Sequence, residues 1–245
     1  MTELPDSPKL KLASPIVTAP PVARKSFLRF VIRWVAIGVA SLWLAAALLI
    51  VAARWIDPPT TVVHMQRGMQ AWMHHTTYRE RYRFVPLGQI SSELQHAVIA
   101  AEDARFYQHH GFDWQEIDIA AEDDLEGERT RGASTITQQL VKNLFWGTGR
   151  SFLRKGAEAT LVPVAEFALG KKRILEIYLN VVEWGPGIYG AESACRYYDE
   201  TGARNIGREN AARLAAILPA PLRRRPERMN RYSELILRRM SELGW

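Results

Sequence analysis

The sequence predicts a mainly α-helical domain that follows one N-terminal transmembrane helix. First, the run from Trp34 to Ala53 contains no charged residue and is almost entirely apolar. Second, apolar residues from Ser92 onward recur at spacings of three and four, and no convincing run alternates with a period of two. Third, the chain is 47% hydrophobic and 24% charged, which is typical of a globular protein rather than a disordered one.

The apolar run is long enough to cross a bilayer. About 20 residues at ~1.5 Å each cover ~30 Å, the thickness of one hydrocarbon core. Trp34 and Trp55 lie near its two ends, where amphipathic rings favour the membrane interface. More basic residues precede the run than follow it closely, and the preceding ones are Lys9, Lys11, Arg24, Lys25, Arg29 and Arg33. The positive-inside rule therefore places the N-terminus in the cytoplasm.

These observations divide the chain into three parts. Residues 1–26 are rich in proline and polar groups and are expected to form a disordered cytoplasmic tail. Residues 27–55 are the transmembrane helix and its flanks, and residues 56–245 are the domain outside the membrane. Within that domain, residues 57–90 mix aromatic, histidine and arginine side chains. They suit either a surface on anionic head groups or an irregular connector.

Charge and cysteine content narrow the class of function. The net charge of +6 suits an anionic partner such as a nucleic acid, a lipid head group or a phosphorylated substrate. Cys195 is the single cysteine, which excludes an internal disulfide and a zinc-finger framework.

Six helical stretches are expected after the connector. Ser92 and Gln95 have capping-box spacing at the start of the first, and Thr135 and Gln138 have it at the start of the second. Pro163 is expected to kink the third. The four later stretches are Arg154–Phe167, Lys171–Asn180, Asn210–Leu218 and Tyr232–Leu243.

Glu102 is the first candidate for chemistry. Leu94, Val98 and Glu102 are each four residues apart, so the carboxylate lies in line with apolar side chains. Lost hydration should raise its pKa, which suits a general base that works near neutral pH. The alternative is a helix-end acid that is solvated or paired with Arg105.

The second candidate is the polar start of the helix near Ser134. Gln138 and Lys142 share a face, and Ser134 and Thr135 lie where backbone N–H groups are unpaired and the helix dipole is positive. This arrangement predicts a diphosphate cradle, whereas the alternative is an ordinary polar face. The full set is Ser134, Thr135, Gln138, Gln139, Lys142 and Asn143.

The third candidate comprises Arg154, Lys155 and Glu158. Arg154 and Glu158 are four apart, so a surface ion pair is the default interpretation. The functional alternative is a second carboxylate that faces Glu102 across a cleft, with Arg154 on a phosphate. His109 with Glu102 and Asp103 has no known metal-ligand spacing, so no metal site is assigned.

These segments, in this order, resemble the motifs of the peptidoglycan glycosyltransferases of family 51. The resemblance covers about residues 86–220. The motif segments are Glu102-Asp103-x-x-Phe106-x-x-His109-x-Gly111, Gly132-x-Ser134-Thr135-Ile136-Thr137-Gln138-Gln139-x-x-Lys142-Asn143, Arg154-Lys155-x-x-Glu158 and Lys171-x-x-Ile174-Leu175-Glu176-x-Tyr178-Leu179-Asn180.

The resemblance implies a lysozyme-like, two-lobed helical fold that polymerises lipid II and releases polyprenyl diphosphate. By analogy Glu102 is the base that deprotonates the 4-hydroxyl of lipid II, and Glu158 assists on the donor side. Mg²⁺ or Mn²⁺ at the diphosphate occurs in some members, with Asp103 as a possible ligand here. The substrate-binding set is Asp103, Ser134, Thr135, Gln138, Gln139, Lys142, Asn143, Arg154 and Lys155.

The same resemblance implies a location and partners. We expect a single-pass protein of the bacterial inner membrane with a periplasmic catalytic domain. Its partners would be lipid II, lipid-linked glycan, the bilayer and other wall-synthesis or division proteins, with no nucleic acid. No Ser-x-x-Lys occurs in the sequence, so we expect no transpeptidase domain.

Two rival functions stay open at this point. A lysozyme-like hydrolase would also use two carboxylates on a helical fold, although it has no diphosphate for the cationic side chains to hold. An inactive membrane-anchored scaffold that recruits wall-synthesis partners is the second rival.

Overall fold

The computed structural model describes residues 23–125, 134–149 and 152–245. Residues 1–22 of the predicted tail and Gly132 of the second motif lie outside the described residues. The described ranges are mainly α-helical, as predicted. Their helices are α1 (Ala23–Ala52), α2 (Val62–Met73), α3 (Ser92–Glu102), α4 (Trp114–Leu125), α5 (Ile136–Phe145), α6 (Phe152–Val181), α7 (Ala191–Tyr198), α8 (Arg208–Ala215) and α9 (Asn230–Glu242).

The predicted transmembrane helix corresponds to α1. Its segment Phe27–Ala52 is long and apolar enough to cross a membrane, and no other described helix meets that test. A compact unit covers Leu44–Trp245, so the end of α1 belongs to the domain that follows. Ala47 and Ile50 are buried in the core of that unit.

The core of the domain lies among the helices that carry the sequence motifs. α5 packs on α6, and α3 packs on both α8 and α9. Leu94 and Phe106 are fully buried, as are Tyr178, Trp184 and Tyr189. Large apolar and aromatic side chains of this kind supply most of the stabilisation of a fold, roughly 1.5–3 kcal/mol for each aliphatic or phenylalanine side chain. The packing fixes the end of α3 against the start of α5.

A small sheet, not expected from the sequence, completes the domain. Its strands are β1 (Arg81–Tyr82), β2 (Glu183–Gly185) and β3 (Ile188–Tyr189), in the order β1-β3-β2. β1 is parallel to β3, and β2 is antiparallel to it. Strands of two or three residues are too short to show a period of two, which explains why the pattern was invisible.

The expected start of α3 was wrong, whereas an expected boundary within α6 is confirmed. The residue that caps α3 is Ser91, whose side chain accepts a hydrogen bond from the Glu93 N–H, and Ser92 is already helical. The boundary expected between the helical stretches Arg154–Phe167 and Lys171–Asn180 is confirmed, because the backbone of α6 is non-helical at Gly170. Pro163, where a kink was expected, lies inside α6. Gly170 has φ 69°, a left-handed conformation that glycine adopts without the steric cost of a Cβ.

The segment that follows the span is more ordered than an irregular connector. It contains α2, which begins after Thr61, and the Thr61 hydroxyl accepts a hydrogen bond from the His64 N–H. Position 61 is therefore a helix N-cap, a place that threonine favours. The expectation of an irregular connector over residues 57–90 was wrong, whereas contact of this segment with head groups stays a prediction.

Candidate active site

A cavity of about 690 Å³ lies where the end of α3 meets the start of α5. Its remaining walls come from α4, α9 and the turns that follow α8. Glu102, Asp103, Ser134, Thr135 and Gln139 line it, so the structure brings together five of the predicted site residues. Three arginines also line it, at positions 105, 224 and 239. The cavity thus combines a helix-end carboxylate with positive charge.

A chain of two hydrogen bonds holds one oxygen of Glu102. The Gln139 side-chain amide donates to Glu102 Oε2 over 2.7 Å, and the Tyr178 hydroxyl donates to Gln139 Oε1 over 2.8 Å. Burial raises the pKa of the Tyr178 phenol well above its ordinary range, so this hydroxyl remains a donor. The other carboxylate oxygen, Oε1, is buried and has no hydrogen-bond partner among the described residues. Glu102 is therefore fixed at one oxygen and able to accept a proton at the other.

The electrostatics of Glu102 agree with the sequence-based prediction. Burial raises its pKa, while the Gln139 hydrogen bond and the positive charge of Arg224 oppose that rise. Asp103 adds to the rise through its negative charge. Pairing with Arg105, the alternative interpretation, is wrong because Arg105 forms its ion pair with Asp113. A carboxyl with a raised pKa is a stronger base, as a general base near neutral pH requires.

Asp103, the next residue, has both of its oxygens engaged. Oδ2 accepts the backbone N–H of Ile136 over 3.0 Å, and Oδ1 accepts the His109 Nε2–H over 2.9 Å. Asp103 thereby satisfies an unpaired N–H at the first turn of α5, where a negative charge also complements the helix dipole. This geometry assigns Asp103 to the anchoring of α5, and its predicted contact with substrate stays a prediction.

Asp103, His109 and Asp113 place candidate metal-ligand atoms within 4.8 Å of one another. His109 Nδ1 accepts the Gly111 N–H, so its proton lies on Nε2 and points at Asp103. Asp113 is held by the Arg105 guanidinium. His109 has no free lone pair, because its Nδ1 accepts one hydrogen bond and its Nε2–H donates another, and the Arg105 guanidinium already balances the charge of Asp113. The residues do not fit a divalent cation, so no step of the mechanism is built on one.

The start of α5 folds as the sequence predicts. Thr135 and Gln138 form the capping box, and each side chain bonds the backbone N–H of the other. The Thr135 hydroxyl also donates to the Gly111 carbonyl over 2.7 Å. Both side chains are thus engaged in shaping the helix start, whereas Ser134 is exposed at the cavity. Direct contact of Ser134, Thr135 and Gln138 with a diphosphate stays a prediction.

The remaining cationic candidates do not line this cavity. Lys142 is half-buried on α5, and the Asn143 side chain donates to the Gln139 carbonyl one turn earlier. Arg154 and Glu158 form the expected i,i+4 ion pair, with 2.7 Å between Nε and Oε1, and Lys155 is exposed. The expected ion pair is thus present, with both side chains half-buried, and a contact of Arg154 with a phosphate stays a prediction. The second carboxylate does not face Glu102 across the cavity described above.

Two arginines that the C-terminal segment brings to the cavity were not among the predicted site residues. Arg224 donates to the Ala216 carbonyl over 2.8 Å and lies 5.2 Å from the centre of the Tyr232 ring. Arg239, on α9, donates to the Ala100 carbonyl near the end of α3 over 3.4 Å. The basic composition of the C-terminal segment was visible in the sequence. The packing of α9 on α3, which brings Arg239 to the cavity, was not visible there.

Comparison with known proteins identifies the family. A family model described as transglycosylase matches residues 69–241. Proteins named biosynthetic peptidoglycan transglycosylase are similar to this chain in Pseudomonas putida strain GB-1 (42% identity over 84% of this chain and 89% of theirs), Aeromonas hydrophila (46%, 84% and 91%) and Shewanella amazonensis (43%, 86% and 87%). The chain therefore belongs to the transglycosylase family.

Proposed function

We propose that this protein polymerises lipid II into linear glycan strands. The growing lipid-linked glycan is the donor, the 4-hydroxyl of lipid II is the acceptor, and polyprenyl diphosphate is released. Family membership and the names of the relatives support this reaction. The observation that carries it is the buried Oε1 of Glu102, which has no hydrogen-bond partner among the described residues. The cavity around it is lined by three arginines and by five acidic side chains, Glu102 among them.

In the proposed mechanism Glu102 acts as the general base. The 4-hydroxyl of the acceptor gives its proton to Glu102 Oε1, and the hydroxyl oxygen attacks the anomeric carbon of the donor. A C–O bond forms to the acceptor while the bond to the diphosphate oxygen breaks, and the diphosphate leaves with the electron pair. Attack from the opposite face inverts the α linkage to β. Gln139 and Tyr178 hold the other oxygen of the carboxylate, which keeps Oε1 aimed at the acceptor.

The leaving group explains why one base suffices. A diphosphate carries the developing negative charge itself and needs nearby cations rather than a proton. A glycosidase differs, because it must also protonate its leaving oxygen. We assign that stabilisation to Lys142, Arg154 and Lys155, with Ser134 orienting the phosphates. Glu158 then acts as a positioning residue, since its ion pair holds the Arg154 guanidinium.

The membrane location follows from the substrate. Lipid II and α1 would occupy the same bilayer, so the reaction centre would lie near the membrane surface. We propose an inner-membrane protein with a periplasmic domain, consistent with the excess of basic residues before the span. Other wall-synthesis or division proteins are its proposed partners.

The test is incubation of the full-length protein in detergent with labelled lipid II and, separately, with uncrosslinked glycan. We expect linear polymer from lipid II, no shortening of glycan, and inhibition by a moenomycin-type mimic of the lipid-linked donor. Shortened strands without polymer would establish a hydrolase. Unconsumed lipid II together with rescue of a polymerase-deficient cell by Glu102→Gln would establish a scaffold.

A further inference from the structure

A second cavity, of about 590 Å³, adjoins the active site at Tyr232. The Tyr232 side chain lines both cavities, and the Arg224 guanidinium of the first one lies over its ring. Arg228, Arg231 and Arg238 line the second cavity. The arginines of the recess therefore begin beside Arg224, on the other side of one aromatic ring from the Glu102 cavity.

Helical geometry places these groups along one side of α9. Arg231, Glu234, Leu235 and Arg238 follow an i, i+3, i+4, i+7 pattern, so their side chains share a face. The buried residues of α9, among them Ile236, lie on a different face. The arginine face is thus presented to solvent while the other face holds the helix on the core.

The arginines of this recess are not neutralised by the protein. Within residues 23–125, 134–149 and 152–245, none of Arg228, Arg231 and Arg238 forms an ion pair, and all three are exposed. Glu234 is the one acid that lines the recess, so its lining keeps a net positive charge. Guanidinium groups bind carboxylates in a bidentate geometry, which makes such a surface suited to a carboxylate-rich ligand.

We propose that this arginine face of α9 binds the carboxylates of the stem peptide carried by the sugar substrate. The inference rests on the proposed function, because the disaccharide of lipid II bears a short peptide with free carboxyl groups. A sugar whose hydroxyl reaches Glu102 can extend past Tyr232, and its peptide then lies over Arg228, Arg231 and Arg238. The surface adds affinity and orientation for the substrate and takes no part in proton transfer.

The position of this surface beside the Glu102 cavity favours part of the sugar substrate as its ligand. The end of the apolar helix is bonded to α6, since Arg54 donates to the Ala168 carbonyl and Arg173 donates to the Ala53 carbonyl. α9 instead packs on α3 and α8, next to the Glu102 cavity. The arginine face therefore adjoins the cavity in which the sugar of the substrate would lie.

The experiment measures binding of a fluorescent, soluble disaccharide-pentapeptide that lacks the lipid and the diphosphate. Anisotropy titrations would use full-length protein in detergent. We expect R228A/R231A/R238A to bind the probe about tenfold more weakly than wild type. This is the loss of affinity expected when three exposed ion pairs with the probe are removed. R228K/R231K/R238K should keep most of the affinity because the charge remains. R204A is the matched control, since Arg204 is exposed and lines neither cavity.

A probe with amidated carboxyl groups supplies the second control. Wild type and the triple alanine variant should bind it equally if carboxylates are what the arginines hold. Equal binding of the unmodified probe by both proteins would overturn the proposal. The proposal would also be overturned if R204A lost as much affinity for the probe as the triple alanine variant does. The same holds if the triple alanine variant bound the probe normally and lost only binding to phosphatidylglycerol vesicles.

The outcome separates this inference from the proposed reaction. Glu102→Gln should bind the probe like wild type, because the carboxylate is not part of the arginine face. Arginine-dependent binding by a protein that fails to polymerise lipid II would leave the peptide surface standing and refute the reaction. Polymerisation with arginine-independent binding would refute the surface alone.

Discussion

Glu102 and Asp103 are adjacent in sequence, yet their carboxylates have different hydrogen-bond partners and different roles at the junction of α3 and α5. Asp103 is buried with a partner on each oxygen, the Ile136 N–H and the His109 ring. Glu102 has a partner on one oxygen, and its second oxygen is buried without one. The Asp103 carboxylate thus holds the start of α5 through its hydrogen bonds, whereas the Glu102 carboxylate has one oxygen that can accept a proton.

The difference shows how two identical functional groups acquire different tasks. A buried carboxylate that lost its water without a replacement donor gains more from accepting a proton than a hydrated one does. Asp103 therefore contributes to the folding that Glu102 needs for its position, and Glu102 is left as the base. The variants below separate these two contributions.

The largest expected effect is on catalysis by Glu102→Gln. This change removes the proton acceptor while keeping the shape, so lipid II polymerisation should slow about a thousandfold. Thermal unfolding, measured by circular dichroism, should show an unchanged or raised Tm. Wild-type-like turnover by a folded Glu102→Gln protein would contradict the assignment of the base.

Asp103→Asn should act on stability instead. The amide can accept only one of the two hydrogen bonds, and its NH₂ group then faces the other donor. The free energy of unfolding should therefore fall by about 1–3 kcal/mol. Denaturant unfolding monitored by tryptophan fluorescence measures this cost. A variant as stable as wild type but catalytically dead would show that Asp103 belongs to the chemistry.

Tyr178→Phe tests the bonds that hold Glu102 Oε2. Loss of the phenol leaves Gln139 Oε1 without its donor, and the amide is then less firmly oriented. Turnover should fall about tenfold, the equivalent of one hydrogen bond. Single-turnover rates with labelled lipid II measure the change, and a rate equal to that of wild type would remove Tyr178 from the positioning of the base.

Arg224→Ala should give the smallest effect, a displacement of the pH profile. Arg224 lowers the pKa of Glu102, so its removal should raise that pKa further. The base works deprotonated, and activity rises as pH passes upward through its pKa. The acidic limb of kcat/KM should therefore move to higher pH, and Arg204→Ala should leave it in place. A limb that moves to lower pH would contradict the sign.

The pH dependence of stability has a defined sign as well. Glu102 has a higher pKa in the folded protein than its ordinary value of 4.5, so the folded state binds the proton more tightly. Protonated Glu102 therefore adds to the free energy of unfolding. This contribution is complete below pH 4.5 and is lost as pH rises through the pKa of Glu102 in the folded protein. Glu102→Gln should lack this loss, so its Tm should be less sensitive to pH over that window.

Local features of the site could be predicted because they depend on nearby residues. The line of Leu94, Val98 and Glu102 follows from helical spacing, and the capping box of Thr135 and Gln138 follows from a four-residue pattern. The ion pair of Arg154 with Glu158 follows from the same i,i+4 rule. In each case neighbouring partners are three or four residues apart, so their contact depends on local helix geometry rather than on tertiary packing.

Features that depend on packing between distant segments could not be predicted. The bond from Tyr178 to Gln139 joins residues that are 39 positions apart, and the bond from Arg239 to Ala100 joins residues 139 apart. A kink was expected at Pro163 because proline is a strong local signal, whereas the non-helical backbone within α6 lies at Gly170, whose positive φ favours glycine. Tertiary contacts also decide that Asp103 anchors a helix, which its resemblance to a motif residue does not reveal.

The most direct test of the central claim is an infrared titration of the Glu102 carboxyl group. The difference between wild type and Glu102→Gln isolates the C=O stretching band of the protonated acid. We predict that this band persists to pH values above the ordinary pKa of 4.5, because burial disfavours the carboxylate. A band that has already vanished at or below that pH would contradict the account of Glu102 as a poorly hydrated base.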